Sequence, residues 1–115
     1  LKCFYRHKSN NNPFIQIGGQ DITASVNFTD IYKSSIDSGF KVDGYSTQSM
    51  FLISMGIESF LANEENEENK IKLAQEIKQL VMPGAMGEVF KVMALTKKQS
   101  VKLDGFKEQN LTERL

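Results

Sequence analysis

A helix that must end at Pro83-Gly84, and a strand that must begin a few residues later, constrain this chain more than any other feature. In "VMPGAMGEVFKVMAL" (Val81 to Leu95) glycines flank Met86 at positions 84 and 87. The proline removes a backbone donor, and the glycines let the chain bend sharply and approach either neighbouring protein or a ligand closely. "EVFKVMALT" (Glu88 to Thr96) then reads as an apolar strand. The preceding "KIKLAQEIKQLVM" reads as an amphipathic helix with Ile71, Ala74, Ile77, Leu80 and Val81 on its inner face.

Similar punctuation recurs upstream. "LKCFYRH" (1–7) reads as a short strand and "KSNNNP" (8–13) as a polar loop. "FIQIGGQDITASV" carries a Gly-Gly break followed by a short alternating piece. In "NFTDIYKSSIDSGF", Asn27 can cap a helix whose third residue is Asp30. Phe28, Ile31, Tyr32 and Ile36 share one stripe of that helix, and Gly39 ends it. "FKVDGYS" (40–46) alternates as a strand should. From Thr47, "TQSMFLISMGIESFLA" is helical and apolar on most sides, which predicts burial. "NEENEEN" (63–69) reads as a hydrated acidic loop rather than a metal or basic-partner site. The order is strand, helix, strand, helix, helix, strand, an α/β layout. It predicts that strands 1–7 and 40–46 run parallel through a right-handed crossover, as one edge of a larger doubly wound sheet.

Composition narrows the function classes. The 115 residues carry 14 basic and 14 acidic side chains with no basic stripe, so a nucleic-acid partner has no electrostatic support. No apolar run reaches the roughly 20 residues of a membrane-spanning helix. The single cysteine, Cys3, allows no internal disulfide and fits a reducing compartment. Its one possible base, His7, lies four residues along the same run, so Cys3 reads as structural rather than catalytic. The chain starts inside a strand without an initiator Met, and it reads as an excerpt of a longer protein.

Four stretches in order carry a resemblance: "GGQDITASVNF" (18–28), "SGFKVDGYSTQSMFL" (38–52), "MGIESFL" (55–61) and "PGAMGEVFKVMAL" (83–95). Together they resemble the C-terminal part of the MidA-like class I S-adenosylmethionine-dependent methyltransferases. Ser25 stands where family members often carry His. The mitochondrial member of that family is a respiratory complex I assembly factor that symmetrically dimethylates an arginine of a complex I subunit. The resemblance implies the C-terminal portion of a Rossmann-like sheet over residues 1–96, with a helical insertion at about 47–82. A polar tail, 97–115, follows with a small anchor, "LDGF". It implies S-adenosylmethionine as cofactor, a protein substrate, and a bacterial cytoplasm or mitochondrial matrix as location. The resemblance also implies that the glycine-rich loop and the ribose-binding acid lie upstream of Leu1, and the chain itself holds no G-x-G-x-x-G.

Ligands of open α/β sheets sit beyond the carboxyl ends of parallel strands. This topology predicts that "GGQDIT" and "STQ" lie at one rim, and the resemblance implies a final antiparallel strand, which would return "PGAMG" to the same rim. Substrate-binding candidates are Thr47, Gln48, Gly84, Met86 and Gly87. Methyl transfer from a sulfonium mainly needs alignment and exclusion of water. An arginine acceptor stays protonated in water, and a carboxylate forking onto it would orient it. Asp21 is the first catalytic candidate and Glu88 the second, while Gln48 can both donate to and accept from substrate amides. Two rival readings remain: a non-catalytic interaction module built on the helical insertion, and a methyltransferase-like protein without activity. An unpaired apolar sheet edge would favour self-association.

Overall fold

The computed structural model describes residues 1–84 and 86–115. Two antiparallel sheets organise it. β1 (Lys2–Tyr5) pairs with β2 (Lys8–Asn10) on one side and with β3 (Asp21–Thr23) on the other. β4 (Phe40–Thr47) pairs with β5 (Lys91–Lys97), in a register running from Phe40↔Lys97 to Thr47↔Lys91. The predicted parallel pairing of the first strand with 40–46 is therefore not formed. The physical reason lies at Arg6 and His7, whose φ values of 49° and 64° make a two-residue reversal between Tyr5 and Lys8. Such left-handed turn residues match the twist of a hairpin, but here they lack the Asn-Gly signal that announces one. The strand thus stops at Tyr5, and part of the expected polar loop becomes β2.

α1 (Phe28–Asp37) follows its sequence signals closely. The Asn27 side chain accepts from the Asp30 N–H at 3.3 Å, and its amide donates to the Asp30 carboxylate at 2.8 Å. Gly39 leaves the helix at φ 83°. α1 packs on β4, with the Phe28 and Tyr45 rings 5.2 Å apart.

The predicted helix from Thr47 is broken in two. α2 (Gln48–Ser54) ends before Gly56, which sits at φ 83°, and α3 (Ser59–Asn63) follows. Its predicted burial is only partial, since Met55 and Phe60 stay exposed. α4 (Glu67–Val81) starts inside the expected acidic loop because the Asn66 side chain accepts from the Glu68 and Asn69 N–H groups. Glu67 and Glu68 then occupy its first turn, where the helix dipole favours negative charge. Of its expected inner face, Ile77 is buried and Leu80 and Val81 are half-buried, while Ile71 and Ala74 are exposed. α4 packs on α2 and on α3, and the Gln48 side chain meets it at Leu80 in its last turn. β5 begins at Lys91 rather than Glu88, because residues 86–90 still belong to the turn.

The molecule is flat, 49 × 45 × 21 Å, with a radius of gyration of 17.9 Å. A compact chain of this length would have about 13 Å. The buried apolar core among the described residues is accordingly thin: Cys3 in β1, Ile77 on α4, and Phe106 in a short 3-10 turn (Asp104–Phe106). Cys3 is a fully buried free thiol. Among the described residues, no helix is long and apolar enough to cross a membrane.

Candidate functional site

The β4–α2 junction is where sequence-predicted residues converge. Thr47 closes β4 and caps α2, its hydroxyl oxygen accepting from the Met50 N–H at 3.3 Å. Gln48 opens α2 and is held twice. Its backbone N–H donates to the Phe90 carbonyl at 3.0 Å, and its side-chain amide donates to the Leu80 carbonyl at 2.9 Å. Leu80 lies in the last turn of α4, where helix carbonyls lack intrahelical donors, so Gln48 ties two helices together. Among the described residues no donor reaches the Gln48 Oε1, which leaves an acceptor at the rim.

The turn before β5 returns to the same place, as its antiparallel register requires. The Ser49 N–H donates to the Gly87 carbonyl at 2.9 Å, and the Met86 N–H donates to the Gln79 carbonyl at 3.2 Å. The two glycines differ in role. Gly84 has φ 80° with open space where a side chain would stand, so its requirement is conformational. A Cβ on Gly87 would lie 2.2 Å from the Val81 carbonyl oxygen, so its requirement is steric. The close approach expected from the sequence is thus made to the end of α4, a neighbouring protein segment. Glu88 is exposed beside it, and its carbonyl accepts from the Lys91 ammonium.

Thr47, Gln48, Met86, Gly87 and Glu88 therefore share one rim, with Gly84 at its outer turn. Asp21 does not join them. It is exposed on β3, paired in register with Phe4, and no extensive interface links its sheet to the β4–β5 pair among the described residues. The alternation "DIT" suits any short strand and carries no information about which sheet receives it. Ser25 is exposed in the segment between β3 and α1.

Three polar residues of this region escaped sequence reasoning. Asp43 bulges out of the β4–β5 register and accepts from the Thr96 hydroxyl at 2.6 Å and the Val101 N–H at 2.8 Å. The Thr96 hydroxyl first, then the Val101 amide, hold its carboxyl below the usual aspartate range. Gln109 and Asn110 come from the C-terminal segment and bond to β4. Only the "LDGF" anchor hinted that this segment folds back.

A concavity of about 350 Å³ is lined by Asp30, Ile31, Ser34, Ser35, Ser38 and Phe40. It lies at the opposite end of β4 from Thr47, roughly 20 Å away at the rise of an extended strand. None of the described loops forms a glycine-rich strand-to-helix cradle for an adenosyl group, and no cluster of metal-ligating side chains occurs among the described residues.

Comparison with known proteins places this geometry. Residues 1–46 match a family described as "Putative S-adenosyl-L-methionine-dependent methyltransferase". A COG1565 superfamily member from Burkholderia thailandensis, described as a "likely methyl transferase" and bound to S-adenosyl-homocysteine, superposes with a TM-score of 0.91 at 33% identity. The match covers 99% of this chain and 30% of that one. The chain has the COG1565 methyltransferase fold. A second COG1565 protein from the same organism, described as uncharacterized, gives a TM-score of 0.92 at 33% identity over 99% of this chain and 31% of that one. This chain thus spans about three-tenths of the length of the COG1565 structures it matches. No curated protein matches it. Both kinds of likeness support the S-adenosylmethionine-dependent methyltransferase family, and the COG1565 fold accounts for sheets that look incomplete in isolation.

Proposed function

We propose that this chain is the C-terminal segment of a MidA-like S-adenosylmethionine-dependent methyltransferase, and that its β4–α2 rim receives a protein arginine. One observation carries the reading. Over 99% of its length the chain is 33% identical to, and superposes on, a COG1565 protein bound to S-adenosyl-homocysteine, the product a methyl donor leaves behind. S-adenosylmethionine would supply the methyl group, and its main contacts belong to other residues than those present here.

What this chain contributes is a shaped edge. Gln48 offers its Oε1, which no donor among the described residues reaches, as an acceptor for a substrate N–H, and Thr47 fixes the first turn that carries it. Glu88, exposed at the end of the glycine turn, is placed to orient a guanidinium by a forked charge-assisted contact. Asp21, on the other sheet, is retained as a candidate only for a substrate that spans both sheets. Gly84, Met86 and Gly87 shape the lip by holding the turn against α4. A reducing location, bacterial cytoplasm or mitochondrial matrix, fits the free Cys3. The outer edge of β5 has no strand partner among the described residues and supports self-association.

Calorimetric titration of S-adenosyl-homocysteine into the longer protein, beside this 115-residue chain, tests the reading. Binding to the longer protein with negligible binding to the short chain, together with methyl incorporation into an arginine peptide, is the expected result. Absence of cofactor binding in the longer protein removes the enzyme reading. A specific observation would then favour an interaction module instead: Met55, Phe60 and Ile71 expose apolar surface on the helical insertion.

A further inference from the structure

Among the described residues the outer edge of β4 has no neighbouring strand, yet its backbone groups at Asp43, Tyr45 and Thr47 find partners. The Asn110 side chain does the work of a backbone amide. Its carbonyl accepts from the Tyr45 N–H at 3.3 Å, and its amide donates to the Asp43 carbonyl at 3.1 Å. The Leu111 N–H donates to the Tyr45 carbonyl at 2.6 Å. Gln109 Oε1 then accepts from the Thr47 N–H at 3.2 Å and from the Thr47 hydroxyl at 3.4 Å. An edge that should present alternating unpaired donors and acceptors is filled, group by group, from Asp43 to Thr47.

Residues 104–111 thus form a strap along β4, and its register is set by packing. Phe106 sits over Gly44, and its ring meets the Phe51 ring edge-on at 5.4 Å. Gly105 lets the Phe51 ring lie against the strap backbone, where a Cβ would be 2.1 Å away. The Glu108 N–H donates to the Ser54 hydroxyl at 3.3 Å, so the strap also reaches the end of α2.

We propose that Gln109 is a positioning residue for the rim. Its effect passes through Thr47. That hydroxyl has one proton to give and lone pairs to accept with. Donation to Gln109 turns the rotor so that a lone pair faces the Met50 N–H, which is the capping bond that starts α2. Gln109 thereby fixes the first turn of α2 and the direction in which Gln48 leaves it. The proposal rests on the methyltransferase reading only for what the rim positions; the positioning itself is a property of this chain.

Residue-resolved amide exchange of the chain and of its Gln109→Ala and Gln109→Glu variants tests it. In Gln109→Ala the Thr47 and Met50 amides should exchange about tenfold faster, with the Val92–Thr96 amides of β5 unchanged. Gln109→Glu keeps an acceptor at Oε1 and should restore protection of Thr47 and Met50. Unchanged Thr47 and Met50 exchange in Gln109→Ala overturns the proposal. Equal loss over β4 and β5 also overturns it, because Gln109 would then only support global folding. Methyl transfer by the longer protein forms a separate arm, in which Gln109→Ala should raise KM more than it lowers kcat. An inactive parent would defeat the methyltransferase reading while the exchange result still decides the positioning role.

Discussion

The ring of Phe106 occupies the space in which a side chain at Gly44 would begin, a built Cβ lying 2.3 Å from the ring. With Gly105 against Phe51, this makes a reciprocal clasp between β4, α2 and the C-terminal strap.

Gly44→Ala is expected to destabilise the chain by about 1–3 kcal/mol, the usual cost of overpacking a filled site. Phe106→Ala should cost about 3 kcal/mol through the lost aromatic. Because one atom displaces the other, the two losses should not add: Gly44→Ala in the Phe106→Ala background should cost little. Urea unfolding of the four proteins of this cycle measures the coupling, and additive losses would contradict the clasp.

The two glycines of the turn before β5 should respond differently. Gly87→Ala has nowhere to put its Cβ beside the Val81 carbonyl and should dislodge the turn, with losses above about 2 kcal/mol. Gly84→Ala meets no atom and should lose only about 1 kcal/mol, from its positive φ, with Gly84→Asn milder still. Thermal melting of the three variants ranks them, and a Gly84→Ala loss equal to that of Gly87→Ala would show that crowding is not what separates them.

Gln48 holds the last turn of α4 through its side-chain amide. Gln48→Ala should lower stability by about 1 kcal/mol, and Gln48→Glu by more, because a carboxylate cannot donate to the Leu80 carbonyl. Amide exchange at Met86 and Gly87, which depend on the end of α4, should quicken in both variants. Protection there that survives Gln48→Glu would place the tie elsewhere.

Asp43 links acid sensitivity to the strap side of β4. Its folded pKa is lowered, chiefly by the Thr96 hydroxyl and then by the Val101 amide. A lowered folded pKa contributes stability that is present above the unfolded value of 3.8 and is lost as pH falls through the folded value. Wild-type stability should therefore decline below about pH 4, and Asp43→Asn and Thr96→Val should flatten that acid limb. Melting temperatures from pH 2 to pH 7 check the point; an acid limb unchanged in Asp43→Asn would assign it to other carboxylates.

Local chemistry determined much of this molecule from sequence alone. Asn27 and Asp30 mark the start of α1, Gly39 marks its end, and Pro83-Gly84 marks the stop after α4, because caps and breakers act within one turn of backbone. The antiparallel return of β5 to Thr47 was legible too, once the ordered stretches suggested the family, and so was the meeting of Gln48 with the glycine turn. Tertiary structure decided the rest. Arg6 and His7 adopt left-handed turn conformations that neither residue favours by itself, so the first strand doubles back and takes Asp21 into a separate sheet. The strap became part of the rim because the missing side chain at Gly44 leaves room for the Phe106 ring, and because the outward amides of Tyr45 and Thr47 need acceptors. Neither demand is visible in residues 104–115, since each is set by groups more than 55 positions away in the chain and brought near only by the fold.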